Sequence, residues 1–178
     1  TEKYIAEAAA NGAKLIVLPE MFAIMGLNPV DKVTQKETFG SGPIQDFLST
    51  QASLHKIWIV AGTIPIACDE PNKIRAASLV INDRGSIVAR YDKIHLFDVV
   101  ISETEKYQES ATTQAGSDPI IVSTPFGKIG LSVCYDIRFP ELFRYYALNG
   151  VDIITIPSAF TLKTGAHWDI LSVARAVE

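Results

Sequence analysis

Short apolar runs alternate along this chain with stretches of helical spacing, and most runs end on a turn signal or a charged residue. Glu2 to Asn11 is rich in Ala and Glu with apolar positions at helical spacing, and Asn11-Gly12 closes it. Lys14 to Pro19 encloses the run Leu15-Ile16-Val17-Leu18 and predicts a buried strand with Glu20 at its C-terminal end. Pro43 to His55 predicts a second helix with Ser41 near its N-cap. Trp58 to Thr63 predicts another strand. Ala76 to Ile81 and Ile87 to Tyr91 flank Asn82-Asp83-Arg84-Gly85, a turn signature, and so predict a hairpin. From Phe97 to Gly116 the pattern is polar and irregular, which predicts a long loop with a functional role. Ile120 to Thr124 and Lys128 to Cys134 are expected to pair around Pro125-Phe126-Gly127. Glu141 to Asn149 predicts a helix closed by Gly150, Asp152 to Pro157 a strand, and Trp168 to Glu178 a further helix. Strands alternating with helices, together with antiparallel hairpins, predict a layered α/β (α+β) domain with mixed sheets.

Composition narrows the function classes. The 178 residues suffice for one domain with a sizeable core, and 48% hydrophobic with 20% charged residues is ordinary for a globular protein. A net charge of −4 gives no basic footprint for nucleic acid. The apolar runs are short and broken by charge, so no transmembrane helix is predicted. Two cysteines, Cys68 and Cys134, do not make a disulfide framework, and a cytoplasmic, reducing compartment is the expectation. His55, His95 and His167 are scattered and no CxxC occurs, so no metal site is expected.

Three charged or nucleophilic residues share one sequence position, at or just past the end of an expected strand: Glu20 after LIVLP, Lys93 after IVARYD and Cys134 after IGLSV. In layered α/β folds, catalytic groups gather beyond strand ends at one edge of a sheet. A Glu, a Lys and a Cys brought together there can hydrolyse an amide. The Glu deprotonates the thiol, the thiolate attacks the carbonyl, and a thioester forms. The Lys ammonium is expected to lower the thiol pKa and, with the Tyr135 N–H, to stabilise the oxyanion. Taken alone, Cys134 could equally be a small buried hydrophobe, Glu20 a helix cap and Lys93 a solvated surface residue. Their common placement favours chemistry. Cys68, in Ala67-Cys68-Asp69-Glu70, has no such partners.

The stretches LIVLPEMF (15–22), YDKIHLFD (91–98), CYDIRFPEL (134–142) and GAHWDILSVARAVE (165–178) resemble the nitrilase superfamily of carbon–nitrogen hydrolases, in order and in approximate spacing. Within it, KIHLFD, YQES, CYDIRFPEL and SAFTLKTGAHW resemble the omega-amidase and deaminated-glutathione amidase branch, whose substrates are short amides that also carry a carboxylate. The resemblance implies a Glu–Lys–Cys triad on Glu20, Lys93 and Cys134, a second positioning glutamate at Glu109, an α-β-β-α sandwich and a homodimer or larger homo-oligomer. It implies no cofactor and no metal, and a small-molecule amide as the partner. Hydrolysis of N-carbamoyl amino acids or of nitriles on the same triad, and a non-catalytic scaffold of the same fold, stand as alternatives.

Around the triad, Arg138 could receive a substrate carboxylate or pair with Glu141 at the start of its helix. Tyr135 is expected to contribute its backbone, with its ring in packing. Phe160, Thr161 and Thr164 are expected to line the pocket. His95 and His167-Trp168 are expected to be structural. Glu109 shares its loop with Glu103, Glu105 and Lys106, and a solvated charge run is the competing explanation. The resemblance places one strand before the opening helix and more strands after the helix near Trp168. The expectation is therefore a single partial carbon–nitrogen hydrolase domain over residues 1–178, which in isolation aggregates or lacks activity.

Overall fold

A computed structural model describes residues 1–178. The first sheet contains β1 (Leu15–Val17), β2 (Trp58–Val60), β3 (Ile64–Ala67), β4 (Ile74–Ile81) and β5 (Ile87–Asp92). β1 and β2 run parallel, whereas β2, β3 and β5 are all antiparallel to β4. The second sheet runs β10 (Ile153–Thr155), β9 (Gly127–Leu131), β8 (Ile121–Thr124), with β10 parallel and β8 antiparallel to β9. Helices α1 (Glu2–Ala10) and α3 (Pro43–His55) cover the first sheet. Helices α4 (Pro140–Leu148) and α5 (Gly165–Val177) cover the second. A short helix, α2 (Asp31–Thr34), follows the loop after β1.

Strand periodicity builds these four layers. Ile59 of β2 and Leu79 and Ile81 of β4 face Ile5, Leu48 and Ala52 of the helices. Their neighbours Val60 and Val80 point the other way, onto Val122, Ile129 and Leu131 of the second sheet. Successive side chains of a strand alternate faces, so an apolar residue at every position is what a doubly covered sheet requires. The third core lies between the second sheet and α4, where Leu142, Phe143 and Tyr146 pack with Ile137. Tyr146 lies flat on Gly130, where a Cβ would come within 2.9 Å of its ring, and its hydroxyl donates to the Leu131 carbonyl.

The structure departs from the sequence pattern in four places. The strand expected over Trp58–Thr63 stops at Val60, breaks at Ala61–Thr63 and resumes as β3, so both pieces lie along β4. The loop expected over Phe97–Gly116 contains a hairpin, β6 (Asp98–Val100) with β7 (Lys106–Gln108), followed by a 3-10 turn at Glu109–Ala111. The strand expected to run to Cys134 ends at Leu131. Ser41 does not cap α3: the N-cap is Gly42, and the Glu37 carboxylate reaches in to accept from the Ile44 and Gln45 N–H groups at 2.5 and 3.2 Å. Gly42 is required there, since a Cβ would lie 2.4 Å from the Glu37 carboxyl carbon. No helix is long and apolar enough to cross a membrane.

Candidate active site

Glu20 lies three residues beyond β1, in a segment pressed against the break between β2 and β3. The Leu18 N–H donates to the Val60 carbonyl, and the Met21 N–H donates to Thr63 Oγ1 at 2.9 Å. Gly62 makes this approach possible: its φ is +51°, and a Cβ there would meet the Pro19 carbonyl oxygen at 1.9 Å. Lys93 follows β5 directly. Its ammonium is 2.9 Å from Glu20 Oε1 and 2.9 Å from Glu109 Oε2. Glu109 is fixed by the hairpin before it, because the same Oε2 accepts from the Phe97 N–H at 2.7 Å. The hairpin thus turns Glu109 inward while Glu105 stays at the surface, paired with Lys163.

Cys134 opens a 3-10 turn, Cys134–Arg138, just past β9. Its N–H donates to the Pro157 carbonyl at 2.9 Å, and its φ is +47°. A side chain other than glycine, asparagine or aspartate rarely adopts that left-handed conformation, and such strain gathers at functional sites. The first N–H groups of a helical turn have no acceptor inside the turn, and Tyr135 supplies one of them next to the sulfur.

Glu20, Lys93 and Cys134 are 6%, 2% and 8% exposed. With Glu109, they line one cavity of about 370 Å³. Burial on its own lowers the Lys93 pKa, but the Glu20 and Glu109 carboxylates outweigh it and hold the ammonium well above the usual lysine range. The thiol behaves differently from the sequence expectation. Burial first, and then the Glu20 charge, push the Cys134 pKa up to about 12, against the downward pull of Lys93. The direction of the shift favours the protonated thiol over a standing thiolate.

The cavity also takes in Tyr135, Arg138, Phe160, Thr161 and Thr164. Arg138 makes no ion pair with Glu141. It meets His167 Nδ1 at 3.0 Å and lies over the Tyr135 and Phe160 rings. His167 is exposed, whereas Trp168 packs on Phe160 with ring centroids 5.4 Å apart. The Tyr135 ring packs edge-on against Phe97 and Phe139, and it also faces the cavity. His95 is structural as expected, stacked on Phe139. Cys68 is a partly exposed free thiol outside the cavity.

Sequence reasoning did not single out three contributors. Lys32 and the Met25–Pro29 loop also line the cavity. Asp136, fully buried beside Cys134, is the third.

The sequence pattern of the carbon-nitrogen hydrolase family matches residues 1–178. The chain belongs to the carbon-nitrogen hydrolase family. It is 41% identical over 181 residues to a deaminated glutathione amidase of Synechocystis sp., covering 99% of this chain and 66% of that one. It is 36% identical over 177 residues to the omega-amidase NIT2 of Homo sapiens, covering 98% and 62%. Its fold superposes with a TM-score of 0.86 on Saccharomyces cerevisiae Nit3, a member of branch 10 of the nitrilase superfamily, at 32% identity, covering 99% of this chain and 63% of that one. The chain spans about half to two thirds of the length of the curated relatives it matches.

Proposed function

We propose that the chain hydrolyses the carbon–nitrogen bond of a small linear amide through a thioester on Cys134, releasing ammonia and a carboxylic acid. The observation that carries this reading is the buried Lys93 ammonium, held between Glu20 and Glu109 in the same cavity as the Cys134 thiol. Three ionisable groups buried together cost several kcal/mol unless each is paired, and perturbed groups in a cleft mark a reactive site.

The shared cavity of Glu20, Lys93 and Cys134 supports the following steps. As Cys134 Sγ bonds to the amide carbon, its proton passes to Glu20, and the carbonyl electrons move onto oxygen. That oxyanion meets the Lys93 ammonium and the Tyr135 N–H. Glu20 returns the proton to the departing nitrogen, the carbon–nitrogen bond breaks, and ammonia leaves a thioester. Water then attacks the thioester carbonyl while Glu20 takes its proton. The carbon–sulfur bond breaks and the sulfur recovers that proton. Glu109 holds Lys93 without touching the reacting atoms.

Arg138 supports a substrate that carries a carboxylate at its far end: its guanidinium is braced by two rings and His167, which leaves donors for a bidentate contact. Phe160 and Thr164 would line the stem between. The relatives named as omega-amidases and deaminated glutathione amidases support the same substrate class. Two free thiols suit a cytoplasmic location. Association of two copies across the α4–α5 layer has support in Leu148, Ile170 and Val173, apolar and largely exposed there.

Ammonia release from a panel of short ω-amides, with mass spectrometry of Cys134 after rapid quenching, tests the reading. The expected result is an acyl adduct on Cys134 and at least about 10³-fold loss of turnover in Cys134→Ala. Turnover that survives this substitution sinks it.

A further inference from the structure

The Asp136 side chain is fully buried, and no lysine or arginine pairs with it. Four groups donate to it instead. Oδ2 accepts from the Tyr91 hydroxyl and the Val133 N–H, both at 2.7 Å. Oδ1 accepts from the His95 N–H at 3.0 Å and from His95 Nδ1 at 2.7 Å. A carboxylate only accepts, so His95 carries its proton on Nδ1. A buried carboxylate is tolerable only when its lone pairs are filled in this way.

The location of these donors gives the network its meaning. Tyr91 and His95 stand two residues before and two residues after Lys93, and Val133 immediately precedes Cys134. One side chain therefore grips both flanks of the lysine and the entry to the strained turn at the cysteine. Stacking of His95 on Phe139, with ring centroids 3.6 Å apart, adds a fourth attachment at the far end of that turn. Neither Asp136 nor Tyr91 lines the cavity, so neither can touch a substrate there.

We propose that Asp136 is a positioning residue: its carboxylate locks the chain segment bearing Lys93 to the turn bearing Cys134 and so sets the placement of the ammonium against the sulfur. The proposal takes the amidase reading as its setting, but its central test does not need amide turnover. Asp136→Asn keeps the size of the side chain and replaces one acceptor oxygen by an amide nitrogen, so at least one of the backbone N–H groups, of Val133 or of His95, loses its acceptor. If Lys93 drifts, its pull on the thiol weakens.

The experiment measures iodoacetamide alkylation of Cys134 per folded molecule against pH, by peptide mass spectrometry, in the wild-type chain, Asp136→Asn and Tyr91→Phe. For Asp136→Asn the expected result is about 10-fold slower alkylation at fixed pH, that is, a profile displaced upward by about one pH unit. Where an amide is turned over, kcat should fall about 10²-fold with KM within about 3-fold, since only transition-state contacts are lost. Tyr91→Phe removes one donor and keeps the ring, so it decides the matter if Asp136→Asn does not fold. Its expected alkylation is about 3-fold slower. A folded Asp136→Asn, or failing that Tyr91→Phe, with the wild-type alkylation profile overturns the proposal. A full-length wild-type protein without amide turnover but with the displaced profile in the variant would overturn the amidase reading and leave the positioning role standing.

Discussion

The state of the Cys134 proton separates two kinds of nucleophile. An exposed cysteine titrates near pH 8.5, and its alkylation levels off above that. With the folded thiol pushed up to about 12, alkylation of Cys134 should climb roughly tenfold per pH unit from pH 7 through pH 10 without levelling. A plateau below pH 9 would show that Lys93 wins over burial and Glu20. The same shift fixes a sign for stability. Above about pH 8.5 the unfolded chain has released this proton while the folded chain still holds it, so this group's contribution to stability declines as pH rises toward 12. Glu20, Lys93 and Cys134 were legible because each stands at or just past the end of an expected strand, and a charge or thiol placed there needs a partner. Asp136 was not legible, because its donors come from residues 91, 95 and 133, and only the folded chain brings them together.

At the scale of elements, the site depends on breaks as much as on strands. Gly62 interrupts what would be one continuous strand and lets the Pro19-Glu20 backbone settle against it. Gly62→Ala should lower stability by at least about 2 kcal/mol, because the left-handed conformation disfavours any Cβ and the new methyl meets the Pro19 carbonyl. Activity should fall further than the lost folded fraction explains, since Glu20 must move. A urea titration alongside activity at matched folded fraction checks this, and an unchanged urea midpoint counts against it. Helices were well marked in the sequence: Pro43–His55 was expected and found, and α1 and α4 lie within a residue of their expected ends. The β6–β7 hairpin escaped notice because its residues are polar and its pairing rests on backbone contacts and one inward glutamate. β3 escaped because Ile64-Pro65-Ile66 continues the apolar run of β2 across Gly62.

At the scale of the molecule, two sheets face each other and each carries helices on its outer side, so the site forms where segments beyond both sheets converge. Glu20 and Lys93 come from the first sheet, Cys134 from the second, and Glu109 from the hairpin outside both. Val173 and Ile170 leave the α5 surface apolar. If two copies meet there, Val173→Glu should shift the sedimentation coefficient from dimer to monomer while leaving the circular dichroism spectrum unchanged. A wild-type chain that sediments as a monomer removes the basis for that assembly.

The ion cluster around Lys93 is uneven, with two carboxylates to one ammonium. An uncharged amide can enter that end of the cavity without electrostatic cost. On the proposed reading, the acid formed, once ionised, would be a third anion beside Glu20 and Glu109, which repel it. Arg138, in the same cavity, would on that reading attract a remote carboxylate before and after the reaction alike. On that reading the surplus negative charge around Lys93 would favour departure of the product acid. Inhibition by the product acid should be weak compared with inhibition by an unreactive neutral isostere with the same remote carboxylate, and equal inhibition constants would show that the imbalance has no such effect.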